Sequence, residues 1–230
     1  MTEITLTGAA GAENGTELAQ VLTQYASDYF DSFAYNTETE EVECKNNGDN
    51  TVWVKIRASA SDKFRVEFFN GWNSAPSTTG IKQINTVYVF SNCVIICCKY
   101  TSSTIYPICI FCKNNLGEVC CFFFGTYASG GNAAIQYCQI SSSEMVSNPS
   151  VICLINTSDR SEIKIPIGDM LSHIQIVNAI PIYDSRNSKL QGLYFNTMGA
   201  LKDMYEATQF QCNGNTYYSV IVGRFIVEDA

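Results

Sequence analysis

Between Ile84 and Phe124 the chain consists of apolar runs parted only by turn residues, and these runs carry Cys93, Cys97, Cys98, Cys109, Cys112, Cys120 and Cys121, seven of its eleven cysteines. In Cys93-Val94-Ile95-Ile96-Cys97-Cys98 and in Val119-Cys120-Cys121-Phe122-Phe123-Phe124 the apolar positions do not alternate. A strand of that kind has no face to give to water, so both of its sides must be covered, as in a central strand of a layered domain. The expected fold class is therefore mainly β (α+β), with antiparallel sheets in a sandwich or barrel-like arrangement and one N-terminal amphipathic helix.

The same placement bears on cysteine chemistry. Eleven is an odd number, and the adjacent pairs Cys97-Cys98 and Cys120-Cys121 must point to opposite faces of a strand, so a disulfide framework would leave a thiol over. Reduced, buried thiols acting as small hydrophobes are the better reading. Cys109-Ile110-Phe111-Cys112 has the CxxC spacing of zinc and redox sites. Zinc, however, needs ligands converging from tight turns, and an extended chain sends residues three apart to opposite faces. No helix is expected after Cys112 to lower a thiol pKa, as a redox motif requires.

Composition narrows the partners. At 230 residues and 46% hydrophobic, the chain can bury a large core as one domain or as two closely packed halves. A net charge of −8 with fourteen Lys and Arg argues against a nucleic-acid face, which depends on clustered cations. Met1-Thr2-Glu3-Ile4-Thr5 lacks the basic flank of a signal peptide, and no apolar stretch is long enough for a membrane span, so synthesis in the cytoplasm is expected.

Along the chain, Met1 to Gly15 reads as an N-terminal arm, with a short extended start and a Gly/Ala segment, and residues 16–230 read as a single β-rich domain. Thr16 is the expected N-cap of a helix from Glu17 to Phe30, with Leu18, Val21, Leu22, Tyr25 and Tyr29 on its apolar face. Glu41 to Cys44 and Thr51 to Arg57 predict a hairpin, Lys63 to Phe69 a third strand, and Ile84 to Phe124 a four-stranded meander. Ser141 to Ser150 is the candidate internal boundary. Short strands are expected at Val151 to Ile155, Glu162 to Ile165, His173 to Ile182, Leu193 to Phe195, Gln209 to Cys212 and Tyr217 to Val227.

Catalytic candidates are few. The single histidine, His173, has no glycine elbow or carboxylate partner nearby in sequence, so neither a catalytic residue nor an enzyme is expected. Glu38, Glu40, Glu41 and Glu43, and Asp28 with Asp31, read as solvated surface, since no calcium-loop pattern is present. No metal and no cofactor are expected. Asn14-Gly15-Thr16 and Asn156-Thr157-Ser158 match the glycosylation triplet, which matters only on a secretory route. The loop Asn70-Gly71-Trp72-Asn73 sets an aromatic ring beside amides, so Trp72, Asn70 and Asn73 form the candidate contact for a glycan or a protein interface.

In the last fifty residues or so, Ile180-Pro181-Ile182-Tyr183-Asp184, Gly192-Leu193-Tyr194-Phe195, Cys212-Asn213-Gly214-Asn215-Thr216-Tyr217-Tyr218 and Gly223-Arg224-Phe225-Ile226-Val227-Glu228-Asp229 form a pattern that resembles β-rich virion structural proteins of tailed bacteriophages and prophages. The resemblance implies a particle component in the capsid, neck, tail or baseplate, with itself and other virion proteins as partners. A glycan-binding module of a tail tip is the alternative.

Overall fold

The computed structural model describes residues 1–45, 52–57, 65–68, 73–74, 84–99, 105–126, 133–140, 145–146, 151–155, 179–183, 189–196, 208–212, 214–220 and 225–229. The chain opens with β1 (Thr2–Thr5) and α1 (Ala12–Tyr25). An N-terminal sheet follows, with β2 (Ser32–Asn36), β3 (Glu41–Lys45), β4 (Val52–Arg57), β5 (Arg65–Phe68) and β6 (Asn73–Ser74) in sequence order. Next come β7 (Ile84–Val89), β8 (Cys93–Lys99), β9 (Ile105–Lys113), β10 (Val119–Thr126), β11 (Ala133–Ile140), β12 (Met145–Val146) and β13 (Val151–Ile155). With β1 on the outer side of β7, they form an eight-stranded central sheet, in which β12 and β13 both pair with β11. The last group, β14 (Ala179–Tyr183), β15 (Lys189–Asn196), β16 (Thr208–Cys212), β17 (Asn215–Val220) and β18 (Phe225–Asp229), is a C-terminal sheet ordered β14-β15-β18-β17-β16. Every paired register in the three sheets is antiparallel. The described residues are thus mainly β, with one helix among them, and the non-alternating strands lie in the central sheet as expected. Among the described residues, no helix is long and apolar enough to cross a membrane.

Strand alternation sorts the core. In the N-terminal sheet Phe33, Cys44 and Val54 form one register row and Tyr35, Val42 and Ile56 the next, all inward, while Ala34, Glu43 and Lys55 form an outward row. Trp53 is the extra residue where the β3–β4 register shifts, and the bulge lets it join Val54 in the core. This core is shared with one face of the central sheet, where Val87, Ile96 and Cys109 form one row and Val94, Phe111 and Cys121 another. The ring of Phe111 meets Phe30 edge-on at 5.1 Å and Tyr29 at 6.3 Å. The opposite face carries Tyr88, Ile95 and Ile110, with Cys93, Cys112 and Cys120, and these are buried as well. Both faces of the central strands are covered, as expected.

The N-terminus departs from expectation. The helix spans Ala12–Tyr25 rather than Glu17 to Phe30, with Gly11 at the N-cap position and no side-chain cap there, so Thr16 is an interior residue. Leu18 and Leu22 are fully buried, and Val21 is partly buried against the core. Tyr29 and Phe30 reach the core from the turn beyond the helix. Met1 to Gly15, expected as an arm, is engaged by the chain's own central sheet. β1 pairs with β7 from Thr2↔Val89 to Thr5↔Thr86, and the Leu6 N–H extends the ladder to Asn85 O at 2.7 Å. The buried side chain of Asn14 then takes the next place: its Nδ2 donates to Ile84 O at 2.8 Å, and Ile84 N donates to its Oδ1 at 2.9 Å. A carboxamide has one donor and one acceptor in peptide-like geometry, so it can stand in for a strand neighbour where the chain has already turned into the helix. Gly15 is buried under the Tyr35 ring, which leaves no room for a side chain, since a Cβ there would lie 2.3 Å from it.

Strand expectations further along the chain fare differently. Tyr217 to Val227 is two strands, β17 and β18, around residues outside the described set, and β11 was not anticipated. Within the candidate boundary at 141–150, Met145–Val146 forms β12 on the central sheet. Glu162 to Ile165 lies outside the described residues.

Candidate functional site

Among the described residues, polar connections between the central and C-terminal sheets gather at one end of the central sheet, where the β7–β8 and β9–β10 turns lie side by side. The last register row there runs Cys93, Cys112, Cys120 across β8, β9 and β10, so three thiols share one face. Cys112 Sγ donates to Cys120 O, and Cys120 Sγ to Glu118 O, each at 3.6 Å. Burial, followed by neighbouring sulfurs, pushes the Cys112 thiol well above its ordinary pKa; burial, followed by Asp229, raises that of Cys93. Fully buried, these groups pack as small hydrophobes, and burial disfavours the thiolate of Cys93 and Cys112. All seven cysteines whose side chains are described, namely Cys44, Cys93, Cys97, Cys109, Cys112, Cys120 and Cys121, are buried thiols, none in a disulfide. The CxxC pair is split as strand geometry demands: Cys109 lies in the row of Ile96, and Cys112 on the other face with Cys93. Among the described residues, no group of three or more His, Cys, Asp or Glu side chains is arranged to hold a metal ion.

Beside this row lies a polar seam to the C-terminal sheet. Asn114, fully buried at the end of β9, forms an isolated bridge to Leu190, and its carbonyl accepts from Gln191 Nε2 at 2.8 Å. Its Oδ1 accepts from the N–H groups of Leu116 and Glu118, both at 2.9 Å, and thereby shapes the turn. Asn115 N donates to Lys189 O at 2.8 Å. In the neighbouring turn, Asn92 Nδ2 donates to Glu228 O at 3.0 Å and Ser91 N to Asp229 Oδ1 at 3.0 Å. The ammonium of Met1 also bonds the Asp229 carboxylate, tying the N-terminus to β18. Burial works to raise the Asp229 pKa, but hydrogen bonds from Met1 and Ser91 and the ammonium charge outweigh it and hold the carboxyl below its usual value. Gly192, at φ +62°, lies against Asn92, and a Cβ would come within 2.5 Å of Asn92 Nδ2. An apolar contact completes the seam, with Phe90 and Tyr218 rings 5.4 Å apart.

The residues singled out from sequence are not brought together here. Trp72, Asn70, His173 and Asn156 lie outside the described residues, and Asn73 is in β6, paired with Glu67. Asn14 is a buried linchpin of β7 rather than an exposed acceptor. Of the acidic residues, Asp28, Asp31 and Glu38 are exposed. Glu41 corrects the solvated reading: it is buried, with Lys55 Nζ at 3.8 Å. Glu43 bonds Lys45 at 3.0 Å and Asn36 at 2.8 Å; despite burial, these bonds and the two lysine charges hold its carboxyl below its usual pKa. No sequence signal marked the seam, because Ser91, Asn92 and Asn114 are common turn residues.

The described residues form an antiparallel fold of three sheets and one helix, with Met1 bonded to Asp229 across the seam. No family model, curated protein or solved structure matches it.

Proposed function

We propose that this chain is a non-enzymatic structural subunit of a phage or phage-like particle, made in the host cytoplasm and acting through contacts with itself and other virion proteins. The observation that supports this reading is how the seam's polar side chains are used. Asn92, Asn114, Gln191 and Asp229 bond backbone or side-chain groups of the same chain, joining one sheet to the next or shaping a turn. Such an arrangement commits the seam's polar groups to joining sheets, which suits a unit that acts through contacts in an assembly. The pattern in the last fifty residues points the same way.

Mass spectrometry of particles purified from cells producing the chain tests this. The chain should be present at a fixed, stoichiometric copy number. Its absence from particles, or turnover of a substrate by the purified chain, would overturn the reading.

A further inference from the structure

We infer that β16 is an assembly edge, pairing antiparallel with β16 of a second copy across a two-fold axis at Phe210. Among the described residues, β16 pairs only with β17, and Gln209 and Gln211 on it are exposed. Open edges are normally blunted by charge, proline or a bulge. At the far side of the same sheet, β14 has two of these devices, Pro181 and a register shift between Pro181 and Tyr183. β16 has none: Thr208-Gln209-Phe210-Gln211-Cys212 is uncharged, and its register with β17 is unbroken. The uncharged edge β2 of the N-terminal sheet differs, because α1 packs against it.

The occupant follows from the strand's own symmetry. Read about Phe210, the segment is nearly palindromic, and antiparallel self-pairing sets Gln209 opposite Gln211 twice, Phe210 opposite itself and Thr208 opposite Cys212. The backbone agrees with that register. Cys212 and Asn215 flank a connection of only two residues and are register partners, so theirs is a hydrogen-bonded pair. Backbone groups of Thr208, Phe210 and Cys212 therefore turn toward β17, and those of Gln209 and Gln211 turn outward, where the two-fold register makes them hydrogen-bonded partners. Gln211 Nε2 now donates to Thr216 Oγ1 at 2.8 Å, which leaves its carbonyl oxygen for the amide of the facing Gln209. The same patch on both copies makes a closed, isologous contact, joining two five-stranded sheets into one.

This inference deepens the structural-subunit reading and rests on it, but the two fail separately, since particle composition is measured without reference to the edge. Sedimentation equilibrium of the full chain over a roughly hundredfold concentration range should show a reversible dimer. Hydrogen exchange should find the Gln209 and Gln211 amides protected at the high end and released on dilution. Gln211→Pro removes one outward N–H without touching the β17 ladder, and Gln209→Lys with Gln211→Lys sets like charges across the axis. Each should raise the dimer dissociation constant by about tenfold or more with an unchanged circular dichroism spectrum. A wild-type chain that stays monomeric throughout, or folded variants that dimerise with wild-type affinity, would overturn the assignment.

Discussion

The central sheet is held in two different ways. The face toward α1 and the N-terminal sheet is a continuous apolar layer in which Leu18, Leu22, Phe30, Ile56 and Phe111 are all buried to within 1% of full coverage. The C-terminal sheet, whose Leu190, Leu193, Ile226 and Val227 are buried as well, is also tied to the central sheet's turn end by hydrogen bonds of Ser91, Asn92, Asn114, Gln191 and Asp229, with Phe90 on Tyr218 as an apolar contact. Apolar contact scales with area and tolerates small shifts, whereas each seam bond depends on one atom in one place. The first attachment should therefore set global stability, and the second should set local opening and sensitivity to pH.

The strongest way to break the apolar side is Phe111→Ala. Phe111 is fully buried and touches the rings of Tyr29 and Phe30, which cannot both move in to fill the space. A loss of ~3–5 kcal/mol in global unfolding free energy is expected from chemical denaturation, with all three sheets lost in one transition.

Next in size is Asn14→Leu. The leucine keeps the branching of the side chain, but it leaves the Ile84 N–H and C=O buried without the partners that Asn14 Oδ1 and Nδ2 provide. The expected cost is ~2–4 kcal/mol, with amide exchange at Ile84 accelerated before that of β9 or β10. Because α1 and β7 meet through this side chain, the variant also tests whether the helix is part of the core or an appendage to it.

That same residue shows where sequence reading ended. The central strands were legible because Cys93 to Cys98 and Val119 to Phe124 have no polar face, which leaves only one kind of environment. The helix was legible from Leu18 and Leu22, yet both bounds lie five residues closer to the N-terminus than expected, Ala12 for Glu17 and Tyr25 for Phe30. Thr16 looked like a cap and Asn14-Gly15 like a linker, because a local pattern cannot reveal that Ile84 needs a carboxamide and Tyr35 needs a missing Cβ. The seam was invisible for the same reason: turn residues are chosen for local geometry first, and their second, long-range partner leaves no periodic trace. Trp72, the residue sequence favoured for contacts, lies outside the described residues.

On the seam side, Gly192→Ala should act locally. Its φ of +62° and the close approach of Asn92 both oppose a Cβ, and relieving the contact displaces the amide that bonds Glu228 O. A cost of ~1–3 kcal/mol is expected, seen as faster amide exchange in β15 and β18 while β8 to β10 keep their protection. Equal loosening of all three sheets would show that seam and core are one cooperative unit.

The smallest expected effect sharpens the comparison most, because it separates the two attachments by pH. The folded carboxyl of Asp229 lies below its ordinary value of 3.8, so through that region the unfolded chain binds more protons than the folded one. Stability contributed by this group is present above the unfolded value and is lost as pH falls through the folded one. Glu43, also lowered, adds to the global slope in the same sense but sits in the N-terminal sheet. Local exchange in β18 therefore reads Asp229 more cleanly than a denaturation midpoint does. As pH is lowered from about 5 toward 3, the opening free energy of β18 should fall faster than that of β9. Asp229→Asn should open β18 already at neutral pH and flatten that dependence. The Phe111→Ala profile should keep the wild-type shape at lower stability, since no titrating group is removed. If Asp229→Asn leaves the β18 profile unchanged, the Met1 and Ser91 contacts do not tie β18 in solution, and the C-terminal sheet is held by the other seam contacts, Asn92 on Glu228, Asn115 on Lys189, Asn114 on Leu190 and Gln191, and Phe90 on Tyr218.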